Sequence, residues 1–252
     1  PERLTPVVRE VADAFITCDY EIGQVDLTFF STFPEFGLRA DGILVENPVV
    51  GAQSDTVLAA KKAVARIDIV ALLKDGELSI REIALADAQL NAFIGEDGTA
   101  NFDVLSLPQD TTPEDTTETS FIRSISLDDL SVSLIANKMS LLNLRDSIDV
   151  LLLDPAISLA TKMQHDKVVG SLKADFPHVD ARYGNADYAS ELAVSLSAPF
   201  ELALQMAEPF TIEHAAVSLD DARLVVNSCK IQLQGDATLI PHIHTDMAIS
   251  TN

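Results

Sequence analysis

The chain has 252 residues, of which 17 are Lys or Arg and 39 are Asp or Glu, so its formal net charge is −22. This charge argues against nucleic acid as a partner and against bulk attraction to anionic lipid head groups. Hydrophobic residues make up 47% and charged residues 22%, which predicts a folded chain. Charges interrupt every apolar run well before the ~20 residues that a transmembrane helix needs.

The first predicted element is an amphipathic helix from Arg3 to Thr17, whose apolar residues recur at three- and four-residue intervals. From Tyr20 onward the apolar period is two, which is typical of β-strands. The segment Thr56–Ile69 is ambiguous, because its alanines favour a helix while its second half alternates, and we favour a strand. Val70–Gly76 is predicted to be one helical turn closed by glycine.

Three later segments share a template in which alternating apolar residues are followed by an aspartate. These aspartates are Asp87, Asp129 and Asp221, and the apolar phase slips by one residue after each. Such a slip predicts a β-bulge or a tight bend, because one extra residue flips the face on which later side chains point. We interpret the aspartates as shape-setting residues of a repeated strand unit rather than as joint ligands of an ion.

The segment from residue 106 to residue 120 is rich in Thr, Pro and acidic residues and lacks an apolar period, which predicts a flexible loop. It separates a helix-plus-strand region at residues 1–105 from a continuing β-meander at residues 121–252. The two regions are interpreted as one elongated domain.

In the second region the alternation predicts further strands. They include Leu141–Asp149, Ala156–Gln164 and strands within Asp187–Ile212, and Gly235–Asp236 is predicted to form a turn. The fold class is therefore mainly β with an N-terminal amphipathic helix. Its body is expected to be a long, curled antiparallel sheet or meander that forms a groove or a sandwich.

Enzymatic chemistry is not predicted. The sequence contains no phosphate-binding glycine loop, no GxSxG elbow and no HExxH helix, so no catalytic residue, cofactor or metal site is assigned. His242 and His244 could lie on one face of a strand as metal ligands, but such alternation is more typical of a solvated face. Cys18 and Cys229 could pair in an oxidising compartment, and we favour two free thiols.

The apolar alternation itself predicts one continuously apolar sheet face. Such a face is either the core of a closed sandwich or the lining of an open groove for acyl chains. Candidate lining residues are Leu85, Leu90, Leu127, Val132, Leu219 and Leu224. Each of them could equally be packed core.

Six segments then follow one another in a fixed order after the predicted helix. They are Tyr20–Leu27, Phe33–Leu38, Val45–Pro48, Arg66–Leu78, Ile80–Leu85 and Asp97–Leu105. In combination they resemble the N-terminal region of the AsmA family of bacterial envelope proteins, which usually has an aromatic residue, often Trp, at the place of Phe102. The resemblance covers roughly the first two-fifths of the chain.

The resemblance implies an inner-membrane anchor upstream of Pro1, a body in the periplasm, and a long, curled sheet with a hydrophobic groove. It implies a non-enzymatic lipid-binding or lipid-transfer module in outer-membrane biogenesis, with phospholipid or another acyl-chain lipid as cargo. The alternative is an envelope assembly or scaffold protein that binds a protein partner through a sheet edge without carrying lipid.

Overall fold

A computed structural model describes residues 9, 12–13, 16–29, 35–68, 71, 74, 76–104, 124–126, 129–164, 167–207, 211–240 and 244–251. Thirteen strands lie in this part of the chain. They are β1 (Tyr20–Phe29), β2 (Glu35–Glu46), β3 (Thr56–Asp68), β4 (Glu77–Ile94), β5 (Ser124–Ser126), β6 (Ser131–Asn143), β7 (Ile148–Leu153), β8 (Ala156–Gln164), β9 (Lys167–Tyr183), β10 (Ala186–Ala207), β11 (Thr211–Val226), β12 (Cys229–Ile240) and β13 (His244–Thr251).

All thirteen strands join one sheet, which confirms that the protein is mainly β. The main path runs β1-β2-β3-β4-β6-β7-β9-β10-β11-β12-β13, and β8 pairs with β6 and β9 beside β7. The sheet is mixed rather than purely antiparallel as predicted, because β4 pairs in parallel with both β5 and β6. Parallel neighbours need a long crossover, and residues 95–130 between β4 and β6 are long enough to supply it.

The predicted strands are partly confirmed. Strand β3 shows that alternation outweighs the alanine-rich composition of Thr56–Ile69, and β8 has the predicted bounds. The prediction for Leu141–Asp149 is wrong, because the segment spans the end of β6, a turn and the start of β7. Gly235–Asp236 is not a turn either but lies inside β12, where Gly235 has a φ of 148° beside a register shift.

Other predictions fall on parts of the chain that are not described. Of the predicted helix Arg3–Thr17, only residues 9, 12–13 and 16–17 are described, so the helix stays a prediction. The predicted loop at residues 106–120 lies outside the described residues, as does Leu127. No helix among the described residues is long and apolar enough to cross a membrane.

A transverse line of irregularities, here called the crease, crosses the sheet from β1 to β10. Its members occupy neighbouring positions in the strand register and lie at Gly23, Gly42, Lys61, Asp87, Asn137, Asp154 and Glu191. Four of them, Gly42, Asp87, Asp154 and Glu191, have left-handed backbone with φ of 89°, 52°, 52° and 54°. The crease therefore interrupts the regular pleat at one level in successive strands.

The crease keeps apolar side chains on one face of the sheet. In β4 the large apolar residues next to the crease are Ile83 and Leu85 before Asp87 and Leu90 after it, so the parity of the apolar positions changes there, yet Leu85 and Leu90 pack on the same cluster. That cluster has buried Ala60, Ala88 and Ala136 at its centre. A phase slip without the backbone irregularity would have turned half of each strand's apolar residues to the opposite face.

The aspartate template has a mixed outcome. Asp87 lies at the crease. Asp221 lies in β11 where the pairing with β10 and the pairing with β12 both shift register. The predicted bulges are therefore confirmed at both aspartates. Asp129 instead lies in the turn before β6. Its sequence resembles the other two, but no described strand surrounds it, and the template therefore does not mark a strand irregularity at every occurrence.

On one side of the crease, the β1–β4 end of the sheet carries a covering segment, and we call this region the capped end. Val45, Val57 and Val104 form a buried cluster with exposures of 4%, 9% and 5%. The covering turn is fixed by Asn101, whose side chain is fully buried. Asn101 Oδ1 accepts the Phe93 N–H at 2.8 Å, and Asn101 Nδ2 donates to the Asn91 carbonyl at 2.8 Å.

In the described part of the chain, strands make their extensive contacts with hydrogen-bonded neighbours. This is the pattern of an extended sheet rather than of two tightly packed layers.

Candidate functional site

Two rows of apolar residues cross the sheet on the other side of the crease. The first row, in order of the register, is Val25, Ala40, Ala63, Leu85, Leu134, Ile157, Ala174, Leu196, Leu224 and Ile231. The second row runs by direct pairing through Leu27, Leu38, Ala65, Ile83, Val132, Leu159, Leu172 and Ala198, and it continues across the register shift between β10 and β11 with Ala222, Leu233 and Ile249. Up to β12 neither row contains a polar or charged residue, and in β13 the partner of Ile231 is Thr251.

The residues between these rows point to the opposite face, which is mostly polar. In the same register order they are Asp26, Arg39, Val64, Ala84, Ser133, Ser158, Lys173, Ser197, Arg223, Gln232 and Ser250. Only Val64 and Ala84 depart from the polar pattern. At the level of the two rows, the sheet therefore has one apolar and one largely hydrophilic face from β1 to β12.

Burial along the first row changes from β1 to β12, whereas Leu27 and Leu38 of the second row are partly buried already at the β1 end. At the β1 end Val25 and Ala40 are 2% and 8% exposed. From β4 to β12, by contrast, the Leu, Ile and Val side chains of both rows are only partly buried, and the fully buried positions there are the alanines. We call the part of the rows from β4 to β12 the apolar face. Its large side chains keep contact with solvent although they have strand neighbours on both sides.

The dimensions of the apolar face follow from sheet geometry. It crosses the seven strands β4, β6 and β8 to β12, and six strand spacings of ~4.8 Å give a path of ~29 Å. This length is close to the ~30 Å hydrocarbon thickness of a bilayer, or about two acyl layers end to end. The face is therefore large enough for several acyl chains.

The structure brings most of the predicted lining residues to this face. Leu85 and Leu224 lie in the first row and Val132 in the second. Leu219 lies one step further from the crease, opposite Phe200 of β10. Leu90 lies beyond the crease but packs on the cluster that also holds Leu85.

Several residues of the apolar face were missed by the sequence reasoning. The large ones are Ile83, Leu134, Ile157, Leu159, Leu172, Leu196, Ile231 and Leu233. Their alternation within each strand was the available signal. What the sequence lacked was the register, because a row across many strands is fixed by pairings between residues far apart in the chain.

Apart from the apolar face, an open cleft of about 940 Å³ lies at the capped end beside β1. Its lining is mostly polar and includes Asp13, Tyr20 and Glu46. The Tyr20 hydroxyl donates to Asp13 Oδ1 at 2.6 Å, and burial together with this hydrogen bond raises the pKa of Tyr20 to about 12. A carboxylate-lined cleft does not suit acyl chains, so we place the candidate site on the apolar face.

Cysteine and metal chemistry receive no support from the described residues. Cys18 and Cys229 are both free thiols, so the possible disulfide is not formed, and burial raises the pKa of the Cys18 thiol. No group of three or more metal-ligating side chains occurs in the described part of the chain. His242 lies outside that part, and the side chain of His244 is not described.

Comparison of the chain with family models, with curated proteins and with solved structures finds no match. The resemblance to the AsmA family therefore rests on the ordered motifs alone. In the structure, two of these motifs have clear roles in shaping the sheet. Gly23 and Asp41 meet at the crease, and Asn101 of the last motif closes the capped end.

Proposed function

We propose that this protein is a non-enzymatic lipid-binding or lipid-transfer module whose apolar face shelters acyl chains. The resemblance to the AsmA family adds the setting: a periplasmic body of an inner-membrane-anchored protein that takes part in outer-membrane biogenesis. The cargo in this proposal is phospholipid or another acyl-chain lipid. Lipid binding needs no catalytic group, and none is assigned.

The observation that carries the proposal is the partial exposure of the large side chains in two apolar rows over seven strands. A packed core of the same composition would have its leucines and isoleucines almost fully buried. An apolar surface of this breadth whose side chains stay partly accessible is typical of a binding site for apolar ligands or membranes. The hydrophilic opposite face would remain in water while lipid occupies the apolar one.

Acyl chains would gain enough free energy from such contact to bind. Full removal of a methylene from water contributes about 0.8 kcal/mol, and a chain lying on an open surface loses roughly half of its contact with water. About 0.4 kcal/mol per methylene over ~15 methylenes then amounts to ~6 kcal/mol per chain. Burial of the leucines beneath the chain adds to this value, so two chains would bind stably without any head-group contact.

Co-purification tests the proposal first. The protein, purified gently from a bacterial envelope fraction, is analysed by native mass spectrometry and by organic extraction for phospholipid. We expect stoichiometric lipid. Protein that stays free of lipid, even after incubation with liposomes, would contradict the proposal.

A matched pair of variants in β10 locates the binding surface. Leu196→Glu places a charge on the apolar face, whereas Ser197→Glu adds the same charge one residue along, on the hydrophilic face. We expect Leu196→Glu to lower lipid occupancy at least tenfold and Ser197→Glu to leave it unchanged. Circular dichroism of both variants checks that the sheet is intact. A photo-crosslinking residue compares the two faces without added charge: at Leu159, on the apolar face, it should crosslink to lipid, and at Ser158, on the hydrophilic face, it should not.

The alternative, a scaffold that binds a protein partner through a sheet edge, is favoured by one observation at β13. This strand is an edge of the sheet, and Ile249 on it is 69% exposed. An edge strand with an exposed apolar residue can accept a strand from a partner. In that case Ile249→Lys would abolish partner binding, and neither the wild type nor the variant would carry lipid.

A further inference from the structure

We propose that the apolar face takes up lipids without net charge, zwitterionic phospholipids above all, and that the protein discriminates against anionic lipids by repulsion. The inference rests on the proposed lipid-binding function and narrows its cargo. It follows from the distribution of charge in the described residues and in the whole sequence. Three observations support it.

The first observation is that the apolar face offers no group that could bind a phosphate. Both rows from β4 to β12 contain only aliphatic residues and alanine. Specific recognition of a phosphate needs Arg or Lys side chains, or converging backbone N–H groups. Backbone N–H groups here are used in the strand ladders. Binding would therefore depend on the acyl chains and leave the head group at the border of the face.

The second observation is that the arginines of the sheet already have carboxylate partners. Five ion pairs involve them: Arg39–Asp41, Arg66–Glu82, Arg81–Asp129, Arg182–Asp187 and Arg223–Asp221. In the last pair, Asp221 also raises the pKa of Arg223 through its hydrogen bond and charge. A lipid phosphate would have to displace a carboxylate that is held on the same sheet, so these arginines give anionic head groups little attraction.

The third observation is the net charge of −22. At 0.1 M salt the Debye length is ~10 Å, so a sheet that lays one face on a membrane brings much of its charge within range of the head groups. An anionic membrane repels such a protein, whereas a zwitterionic membrane has no net charge to repel it. The selectivity would therefore arise mainly in the rate of approach and would depend on salt.

Transfer of a fluorescent phosphatidylcholine from donor vesicles tests the inference. The donors consist either of phosphatidylcholine alone or of equal parts phosphatidylcholine and phosphatidylglycerol, with the same labelled lipid in both. We expect transfer from the anionic donors to be slower by about tenfold at low salt. The difference should nearly vanish at 1 M salt, where the Debye length falls to ~3 Å.

A charge variant provides the second measurement. Glu96, Asp103, Asp149 and Asp236 are exposed and lie outside the apolar face. Changing these four acids to Lys alters the charge by two at each position and brings the net charge from −22 to −14. The variant should extract from anionic donors faster than the wild type and from phosphatidylcholine donors at the wild-type rate.

The outcomes separate the inference from the function on which it rests. Equal rates from both donors at low salt, or faster transfer from anionic donors, overturn the inference and leave lipid transfer standing. Transfer from neither donor at any salt concentration overturns the proposed function itself. A preference for neutral donors that salt removes and the four-lysine variant weakens supports the inference.

Discussion

The capped end and the apolar face are made from the same kinds of residue but differ in what covers them. In the capped end Val45 is 4% exposed, because Ile16 and Cys18 pack against its cluster and the Thr17 N–H donates to the Val104 carbonyl at 2.9 Å. On the apolar face Leu196 and Leu224 are larger than valine and yet remain partly exposed. Apolar composition alone therefore does not make a core.

The crease lies between these two regions and allows them to share strands. In β2, Val45 lies on the capped side of Gly42 and Ala40 on the other, and both side chains are buried. Because the slip at the crease returns the apolar residues to one face, β1, β2 and β3 contribute both to the covered cluster and to the apolar rows. On the Val45 side of the crease the covering segment completes the hydrophobic core.

The largest expected effect on stability comes from removing the Asn101 side chain, which fixes the covering turn of the capped end. In Asn101→Ala the Phe93 N–H and the Asn91 carbonyl both lose their buried partner, which should lower the free energy of unfolding by about 2–4 kcal/mol. Urea unfolding followed by circular dichroism measures the loss, and faster hydrogen exchange at the Phe93 amide locates it. Asp103→Ala, an exposed substitution in the same turn, should stay within about 0.5 kcal/mol of wild type. Equal stability of the two variants would show that Asn101 does not fix the cap.

Truncation to alanine compares the two regions directly. Val45→Ala removes a buried side chain and leaves a cavity, so it should cost about 2 kcal/mol. Leu196→Ala removes more atoms, but these atoms already touch water, so it should cost about 1 kcal/mol or less. Unfolding of both variants in urea gives the order. A cost of about 3 kcal/mol or more at Leu196 would be the value of a packed leucine and would indicate a closed core.

Substitution of two glycines at the crease by alanine should have different costs in stability, because the two Cβ positions have different surroundings. A Cβ on Gly23 would lie 2.0 Å from the Asp41 carbonyl oxygen, so Gly23→Ala must shift β1 and should cost about 1–3 kcal/mol. Gly42 has open space around its Cβ position, and Gly42→Ala meets only the strain of a positive φ, about 1 kcal/mol. Thermal unfolding ranks the two. A reversed order would place the tight contact of the crease elsewhere than between β1 and β2.

The sequence predicted local features of both regions but not how strands combine. Strand β8 and the bulges at Asp87 and Asp221 follow from alternation, which is a property of neighbouring residues. The parallel pairing of β4 with β6 depends on residues about 50 positions apart and leaves no local pattern. Asn101 was missed because a polar residue in a turn is normally exposed, and its burial depends on the strand beside it.

The smallest effect concerns the end of the crease in β10. There Asp180 accepts the N–H of Glu191, a residue with positive φ, at 2.8 Å, and Asp180 Oδ2 lies 2.9 Å from His178 Nε2. The Glu191 hydrogen bond first, and His178 second, lower the pKa of Asp180. A carboxyl group whose pKa is lowered in the folded state contributes its full stabilisation at pH values above its ordinary pKa of about 3.9. The contribution is lost as the pH falls through the lowered value.

Asp180→Asn should therefore be less stable than wild type at neutral pH, and the gap in melting temperature should close below about pH 4. Melting curves at a series of pH values measure this gap. Asp149→Asn, which changes an exposed carboxylate in β7, should show no such closing gap. A gap that persists unchanged into strong acid would mean that the Asp180 carboxylate does not hold Glu191. The crease would then depend on backbone pairing alone, as it does at Asp154, whose N–H donates to the Asn137 carbonyl at 3.1 Å.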